Sequence, residues 1–545
     1  MPKKTKEVKD KPIEVALWES ANKLRGSVEP AEYKHVVLGL VFLKFASDKF
    51  EERRAQLIAE GKGKYVEMPD FYNMSNVFFL EETSRWNYIV KKARQNDIAL
   101  IIDTALHTIE KDNKSLKGAL PDNYFSRLGL DITKLAALIS EIDGINTIKD
   151  KQQDIVGKVY EYFLSKFALA EGKGKGEFYT PKSIVNLIAE MIEPYKGIIY
   201  DPACGSGGMF VQSIKFIEAH HGNKKEVSIY GQEYTNTTYK LAKMNLAIRG
   251  ISANLGEKAA DTFGDDQHKD LKADYIMANP PFNQKDWRAE NELKDDPRWR
   301  GYGVPPKSNA NYAWILNIVS KLSENGVAGF ILANGALSGG GEEYKIRRKL
   351  IENNLVEAIL VLPRNLFYTT DISVTLWLLN KNKKAQTKTV GDEKRQLRNR
   401  EKEILFMDLR QMGEPFEKKY IQFSKADIKK ITGTFHEWQH SGNNEAPASF
   451  HGESGASPSD EAGASSSYSN IPEFCYSASF EEIAQKDFSL VPSKYIEFVN
   501  RDENIDFDEK MKALRSELGE LLKAECQSKK DLLTVFKELG YEIKL

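Results

Sequence analysis

The stretch Ile198-Ile-Tyr-Asp-Pro-Ala-Cys-Gly-Ser-Gly-Gly-Met-Phe210 opens on an apolar run, crosses a cluster of glycines and enters a segment whose apolar residues Val211, Ile214, Phe216 and Ile217 recur at helical spacing. It predicts a buried strand, a glycine turn and an amphipathic helix. Glycines at 205, 207 and 208 permit dihedrals closed to other residues and let a ligand approach the amides at the helix start. Such a loop serves dinucleotides and other adenosyl ligands, or makes a tight turn with no ligand at all; the spacing is not G-x-G-x-x-G, which lowers the dinucleotide reading.

Downstream, Val227-Ser-Ile-Tyr-Gly-Gln-Glu233 reads as a second short strand ending in an acid, and helical spacing follows through Tyr239, Leu241, Met244 and Leu246. A carboxylate in this place can accept both ribose hydroxyls of an adenosyl ligand, the role expected of Glu233. Ala259-Ala-Asp-Thr-Phe263 then offers Asp261 either as an acceptor for the ligand's adenine amino group or as an ordinary exposed acid. Helices over 312–322 and 343–351 alternate with strands over 327–332, 356–362 and 374–379. The expected fold is α/β, a doubly wound, parallel-rich, Rossmann-like sheet. Ligands in such sheets bind beyond the carboxyl ends of strands, where Asp201, Glu233 and Asn279 all fall.

The apolar run Ala273-Asp-Tyr-Ile-Met-Ala278 ends in Asn279-Pro280-Pro281-Phe282. An amino group conjugated to an aromatic ring or a carbonyl is a poor nucleophile, because its lone pair is delocalised. The Asn279 side-chain oxygen and the Pro280 carbonyl can accept both N–H bonds of such a group, drawing nitrogen towards tetrahedral geometry and localising the pair. Pro280 and Pro281 fix their own φ and hold the residue before each extended, so the acceptors are aimed before substrate arrives. Phe282 offers a flat apolar face for a base taken out of its stack. Without chemistry, the same residues make a proline-rich loop leaving a buried strand.

Ahead of the glycine strand, Gly176-Glu-Phe-Tyr-Thr-Pro-Lys182 leads into the apolar stripe Ile184, Val185, Leu187, Ile188, Met191 and Ile192. Thr180 is expected as the helix N-cap and Pro181 as the first helical residue. Taken in order, GEFYTP, DPACGSGGMF, GQE, ADT and NPPF resemble the modification (methyltransferase) subunit of type I restriction-modification systems, a family of adenine-specific DNA methyltransferases. The resemblance runs from residue 10 to residue 410 and loosely into the tail. It implies that Glu177, Phe178, Tyr179, Thr180, Pro181 and Lys182, with Ser206, Gly207 and Gly208, contact S-adenosylmethionine. It further implies that Glu233 holds the ribose and that Asp201 and Gly205 belong to the same loop. Asn279, Pro280, Pro281 and Phe282 would then form the motif that methylates adenine on its exocyclic nitrogen in double-stranded DNA. Two such subunits would assemble on one specificity subunit that reads the sequence, with a restriction subunit in the full complex.

A chain of 545 residues has room for about three domains. Its formal charge of −1 is unusual for a protein that grips DNA unaided, since phosphate contacts supply most non-specific affinity. Either basic residues are concentrated locally, as in 344–349 and 381–400, or a partner carries much of the binding. Cys204, Cys475 and Cys526 are too few and scattered for a disulfide framework or zinc site, and the histidines show no metal-ligand spacing. No apolar run reaches membrane-spanning length and the basic start lacks a signal peptide's apolar segment, so a cytoplasmic protein without a bound metal is expected. No G-x-x-x-x-G-K-S/T marks an ATP motor, and no Pro-Cys pair marks a cytosine ring-carbon methyltransferase.

Residues 1–169 are expected as an N-terminal helical domain, with Val36, Val37, Leu40, Val41, Leu43 and Phe45 in one buried helix and Leu135, Leu138, Ile139 and Ile142 in another. Residues 170–410 form the methyltransferase domain, 411–504 an irregular region with a disordered 441–470 segment, and 505–545 a helical tail. In the tail, Met511, Leu514, Leu518, Leu521 and Leu522, then Leu532, Leu533, Val535, Phe536 and Leu539, read as an amphipathic helical pair covered by the N-terminal helices or by a partner. Between NPPF and the end of the sheet no long extra segment looks like a target-recognition domain, so sequence choice is expected to be delegated. The alternatives are a protein glutamine methyltransferase, which faces the same lone-pair problem, and a DNA-complex scaffold without catalysis. The long helical flanks weigh against the first, and the intact Asp201, Glu233, Asn279 and Phe282 against the second.

Overall fold

The computed structural model describes residues 18–19, 30–75, 77–145, 161–163, 166, 180–367, 373–390, 393–416, 420–440, 468–499 and 507–538. The chain divides into a large unit, Met1–Ile496, and a small one, Glu497–Leu545.

The large unit begins with helices. In α1 (Pro30–Ala59), Val36, Val37, Leu40, Val41 and Leu43 are buried, as their spacing requires. Helices α2 (Ile98–Asp112) and α3 (Ile132–Asp143) add Ile102, Leu106, Leu135, Leu138, Ile139 and Ile142 to the same core. Asp131 caps α3 by accepting the Lys134 N–H at 2.9 Å.

Next come α4 (Lys182–Ile192), β1 (Gly197–Asp201), α5 (Gly208–Ala219), β2 (Val227–Gly231), α6 (Asn236–Ile248), β3 (Ala253–Asn254) and β4 (Ala273–Ala278). The chain continues through α7 (Asn311–Lys321), β5 (Leu322–Ala333), α8 (Gly341–Glu352), β6 (Val356–Val361) and β7 (Val374–Asn380). A hairpin of β8 (Gln386–Val390) and β9 (Glu393–Leu397), strand β10 (Glu403–Asp408), a second hairpin of β11 (Glu414–Phe416) and β12 (Tyr420–Gln422), α9 (Lys425–His440) and β13 (Cys475–Ser479) complete it. The main sheet runs β13-β10-β6-β7-β5-β4-β1-β2-β3. Its pairings are parallel except where β7 meets β5 and β6 and where β13 meets β10.

Side chains alternate across the sheet with period two. Ile199 and Leu378 enter the core beneath α4, α5 and α9, whereas Tyr200 and Trp377 enter the core beneath α7 and α8. Helices therefore cover both faces, and the strands read as nearly continuous apolar runs. From β1 the chain winds outward through β2 and β3, then returns to place β4 on the other side of β1. This reversal opens a crevice beyond the carboxyl ends of β1, β2 and β4.

The described part of 411–504 is more regular than expected. Ile431, Phe435 and Trp438 of α9 join the sheet's core, and β13 returns to form its edge. Residues 441–467 of the segment expected to be disordered lie outside the described residues. Among the described residues of the small unit there is one helix, α10 (Phe507–Glu538), rather than a pair. The polar stretch 523–530 between its apolar clusters consists mainly of residues that propagate a helix well, and Glu525 pairs with Lys529 at 2.7 Å. Met511, Leu514, Leu518, Leu521, Leu522, Leu532, Leu533 and Val535 along it are exposed.

Candidate active site

Strands β1 and β2 lie parallel with Asp201 opposite Gly231, and the backbone stays paired beyond their ends. The Gln232 N–H donates to the Asp201 carbonyl at 3.0 Å and the Cys204 N–H to the Gln232 carbonyl at 2.9 Å. The loop then turns at Gly205, φ +53°, and Gly207, φ +80°, conformations that favour glycine. Gly207 becomes the N-cap of α5, and a Cβ on Gly205 would project into open space. From β2, the half-buried Glu233 carboxylate fastens this loop, accepting the Gly205 N–H at 3.0 Å through one oxygen and the Thr235 N–H at 2.8 Å through the other.

Asp201 is only 1% exposed and accepts the Ala203 N–H at 2.9 Å. Burial pushes its carboxyl up to about 8; the Ala203 N–H works the other way and the nearby Glu233 charge adds to the rise. Burial, with both carboxylates behind it, also pushes the Cys204 thiol well up, which keeps that sulfur protonated and unreactive.

Asn279 follows directly on β4, beside β1. Its Nδ2 donates to the Thr180 hydroxyl at 3.0 Å, while its Oδ1 is buried and has no hydrogen-bond partner. A buried acceptor left unsatisfied costs about 1–3 kcal/mol, which an incoming N–H would recover. The expected cap at Thr180 is not found. Helix α4 starts at Lys182 with Pro181 in the N-cap position and no side-chain cap, and Thr180, one residue further out, accepts from Asn279.

Pro280 is buried and Pro281 half-buried. The Phe282 ring lies 5.9 Å from that of Phe367 and nearly perpendicular to it, at 84°. Just beyond, the chain turns left-handed at Asn283, φ +51°. Asn283 N–H donates to Asn311 Oδ1 at 3.0 Å and Asn311 Nδ2 returns to Asn283 Oδ1 at 2.9 Å, so the fully buried head of α7 locks the exit of the motif.

Thr180, Lys182, Ser206 and Gly208 border one small cleft, with Glu161 and Asn245. Asp261 lies in a loop tied to the Glu233 carbonyl by the Ala260 N–H at 2.9 Å. Its carboxylate accepts the Gly264 N–H at 2.9 Å, so closing its own turn is one definite task it performs. Glu177, Phe178 and Tyr179 fall outside the described residues.

Three residues that organise the site escape a reading of the sequence. Gln232, wholly buried, donates to the Ala260 and Asp265 carbonyls at 3.1 and 2.8 Å and so holds the loop that carries Asp261. Asn245 donates to the Ser206 carbonyl at 2.7 Å. Asn311 is the third. The available signal was an amide at the end of, or inside, an otherwise apolar element, where a partner is obligatory. Among the described residues no group of three or more His, Cys, Asp or Glu is arranged to hold a metal, and no helix is long and apolar enough to cross a membrane.

The family model described as N-6 DNA Methylase matches residues 151–504, and that of the HsdM N-terminal domain matches residues 13–142. The chain is 42% identical over 454 residues to the Type I restriction enzyme HindI methylase subunit of Haemophilus influenzae, covering 82% of this chain and 93% of that one. To the Type I restriction enzyme MjaIX methylase subunit of Methanocaldococcus jannaschii it is 35% identical over 549 residues, covering 97% and 92%. The crystal structure of the type I restriction-modification system methyltransferase subunit from Streptococcus thermophilus shares the fold, with a TM-score of 0.70 at 22% identity over 89% of this chain and 99% of that one.

Proposed function

Because this chain belongs to the N-6 DNA methylase family, as a methylase subunit of the type I restriction-modification kind and so an adenine-specific DNA methyltransferase, we propose the following division of labour among its residues. Asn279 Oδ1 and the Pro280 carbonyl accept the two N–H bonds of an adenine amino group turned out of the duplex, leaving the nitrogen lone pair localised for attack. Phe282 stacks on the extruded base. The observation that carries this reading is the Asn279 amide, whose nitrogen is engaged and whose buried oxygen lacks a partner.

The methyl donor is S-adenosylmethionine. The open space at Gly205, the Glu233 carboxylate beside it and the cleft between Lys182 and Ser206 suit an adenosyl ligand. When bound, the donor supplies a methyl group made electrophilic by a positively charged sulfur. Glu233 holds the ribose, and Thr180, Pro181 and Lys182, with Ser206, Gly207 and Gly208, border the remainder. Asp201 and Gly205 keep the loop in shape.

Sequence choice comes from a specificity subunit carrying two copies of this chain, joined in the full complex by a restriction subunit. The near-neutral charge and the exposed apolar stripe on α10 support delegation. Protein glutamine methylation and an inert scaffold are not favoured, since relatives that are methylase subunits match the chain over most of its length. The test is Asn279→Ala in the assembled complex, scored by transfer of labelled methyl to DNA. Loss of most turnover with donor affinity kept is expected, and near-normal turnover would overturn the reading.

A further inference from the structure

We infer that Asn245 is a positioning residue for the donor loop, and that through it the N-terminal helical domain sets affinity for the methyl donor; this rests on the donor reading of Ser206. Helix α6 belongs to two cores. Leu241, Met244 and Ile248 are buried among the N-terminal helices, whereas Tyr239, Ala242 and Leu246 are buried with the sheet. Leu246 lies directly under the loop, its Cγ 3.4 Å from where a Cβ on Gly207 would stand. The N-terminal domain is fastened to the same helix by Lys240, which donates to the Leu120 carbonyl at 3.0 Å, and Lys243, which donates to the Lys117 carbonyl at 2.9 Å.

Asn245 sits on the seam between these two faces and is 2% exposed. Its Nδ2 donates to the Ser206 carbonyl at 2.7 Å, and its Oδ1 accepts from Arg249 Nη1. Arg249 reaches on to Glu161 at 3.4 Å, two residues from Phe163 in the N-terminal core, and Glu161 also takes Lys215 Nζ of α5 at 2.7 Å. The amide donates through its nitrogen and accepts through its oxygen, two distinct atoms. With a carbonyl on one side and a guanidinium on the other, it has a single satisfied orientation. Glu161 and Asn245 also border the cleft that holds Thr180, Lys182, Ser206 and Gly208. The path from Glu161, two residues before Phe163 of the N-terminal core, to the donor loop is therefore continuous in polar contacts and ends on a carbonyl of the loop itself.

Asn245→Asp keeps the Arg249 contact and places an acceptor against the Ser206 carbonyl; Asn245→Ser removes the bond without adding charge. Calorimetry on the full chain with S-adenosylmethionine is expected to show a dissociation constant raised about tenfold in Asn245→Asp, the worth of one buried hydrogen bond, and raised less in Asn245→Ser and Glu161→Gln. In the complex with its specificity subunit, KM for the donor should rise in parallel while kcat at saturating donor stays within about twofold, a split that a general loss of structure would not give. Unchanged donor affinity in both Asn245 variants, or kcat falling as far as affinity, would overturn the positioning role and leave the donor reading standing. A folded wild-type chain that binds no donor would overturn both.

Discussion

The Asn279 amide donates to the Thr180 hydroxyl across 3.0 Å, joining two residues 99 positions apart and leaving Asn279 Oδ1 as the buried atom without a partner. On the proposed role of Asn279, Thr180 would fix the direction of the amide before any amino group arrives. Thr180→Val keeps the shape and removes the partner, so kcat is expected to fall about tenfold, whereas Thr180→Ser should retain most activity. Asn279→Ala should cost about 10²–10³ in kcat, the range found when an acceptor or donor used in the transition state is removed. Single-turnover methyl transfer in the assembled complex reads both, and equal rates for Thr180→Val and wild type would dismiss the orienting role.

Phe282 is expected to act on base capture more than on chemistry. Phe282→Ala should weaken capture of the extruded base by about 1–3 kcal/mol, and Phe282→Trp should largely preserve it. Fluorescence of 2-aminopurine at the target position measures this directly. Phe367→Leu, which removes the edge-on neighbour of Phe282, should show a smaller change in the same direction.

Asp201 makes stability depend on pH in a direction opposite to that of a paired carboxylate. Burial raises its carboxyl to about 8 in the folded chain, against about 3.9 for a free aspartate. Below pH of about 4 both states hold the proton and the group contributes no slope. Between about 4 and 8 the unfolded chain has released it while the folded chain keeps it, so stability from this group declines as pH rises; above about 8 the decline stops. Asp201→Asn should therefore gain on wild type progressively from pH 5 to pH 8.5 in urea titrations. A constant difference across that range would show that Asp201 is already ionised in the fold.

Much of the large unit was legible because its strands are short apolar runs ended by glycine, acid or proline, and β1, β2 and β4 are found where those signals place them. What escaped depends on partners far along the chain. Strand β13 is an edge strand whose reason for being a strand is β10, some 70 residues earlier, as in the pairing of Ser477 with Leu405. Thr180 has every local mark of a cap, yet its hydroxyl meets Asn279, a partner far along the chain. The two apolar clusters of the tail looked like two helices because polar residues separate them, yet polarity does not end a helix when the residues concerned propagate it. The buried amides of Gln232, Asn245 and Asn311 had no signature beyond being polar in apolar surroundings.

Removing the chain from before Phe507 onward should leave the large unit folded and able to bind donor, while reducing assembly with a specificity subunit. The full-length chain by itself should methylate DNA barely at all, and the partner should both raise affinity and steepen its salt dependence. Native mass spectrometry and methyl-transfer assays across a salt series check these points. Sequence-specific methylation by the isolated chain would refute delegation, and unchanged assembly after truncation would refute the role of α10.

Helix α6 bears on where this protein can be cut. Its Leu241, Met244 and Ile248 belong to a core otherwise built from residues before 170, so a fragment beginning at the glycine strand would carry an uncovered apolar ridge along α6. Sequence boundaries suggest a detachable catalytic module; the packing instead makes the helical flank and the sheet one inheritable piece. Exchange of parts between related enzymes would accordingly succeed only when both sides of α6 travel together.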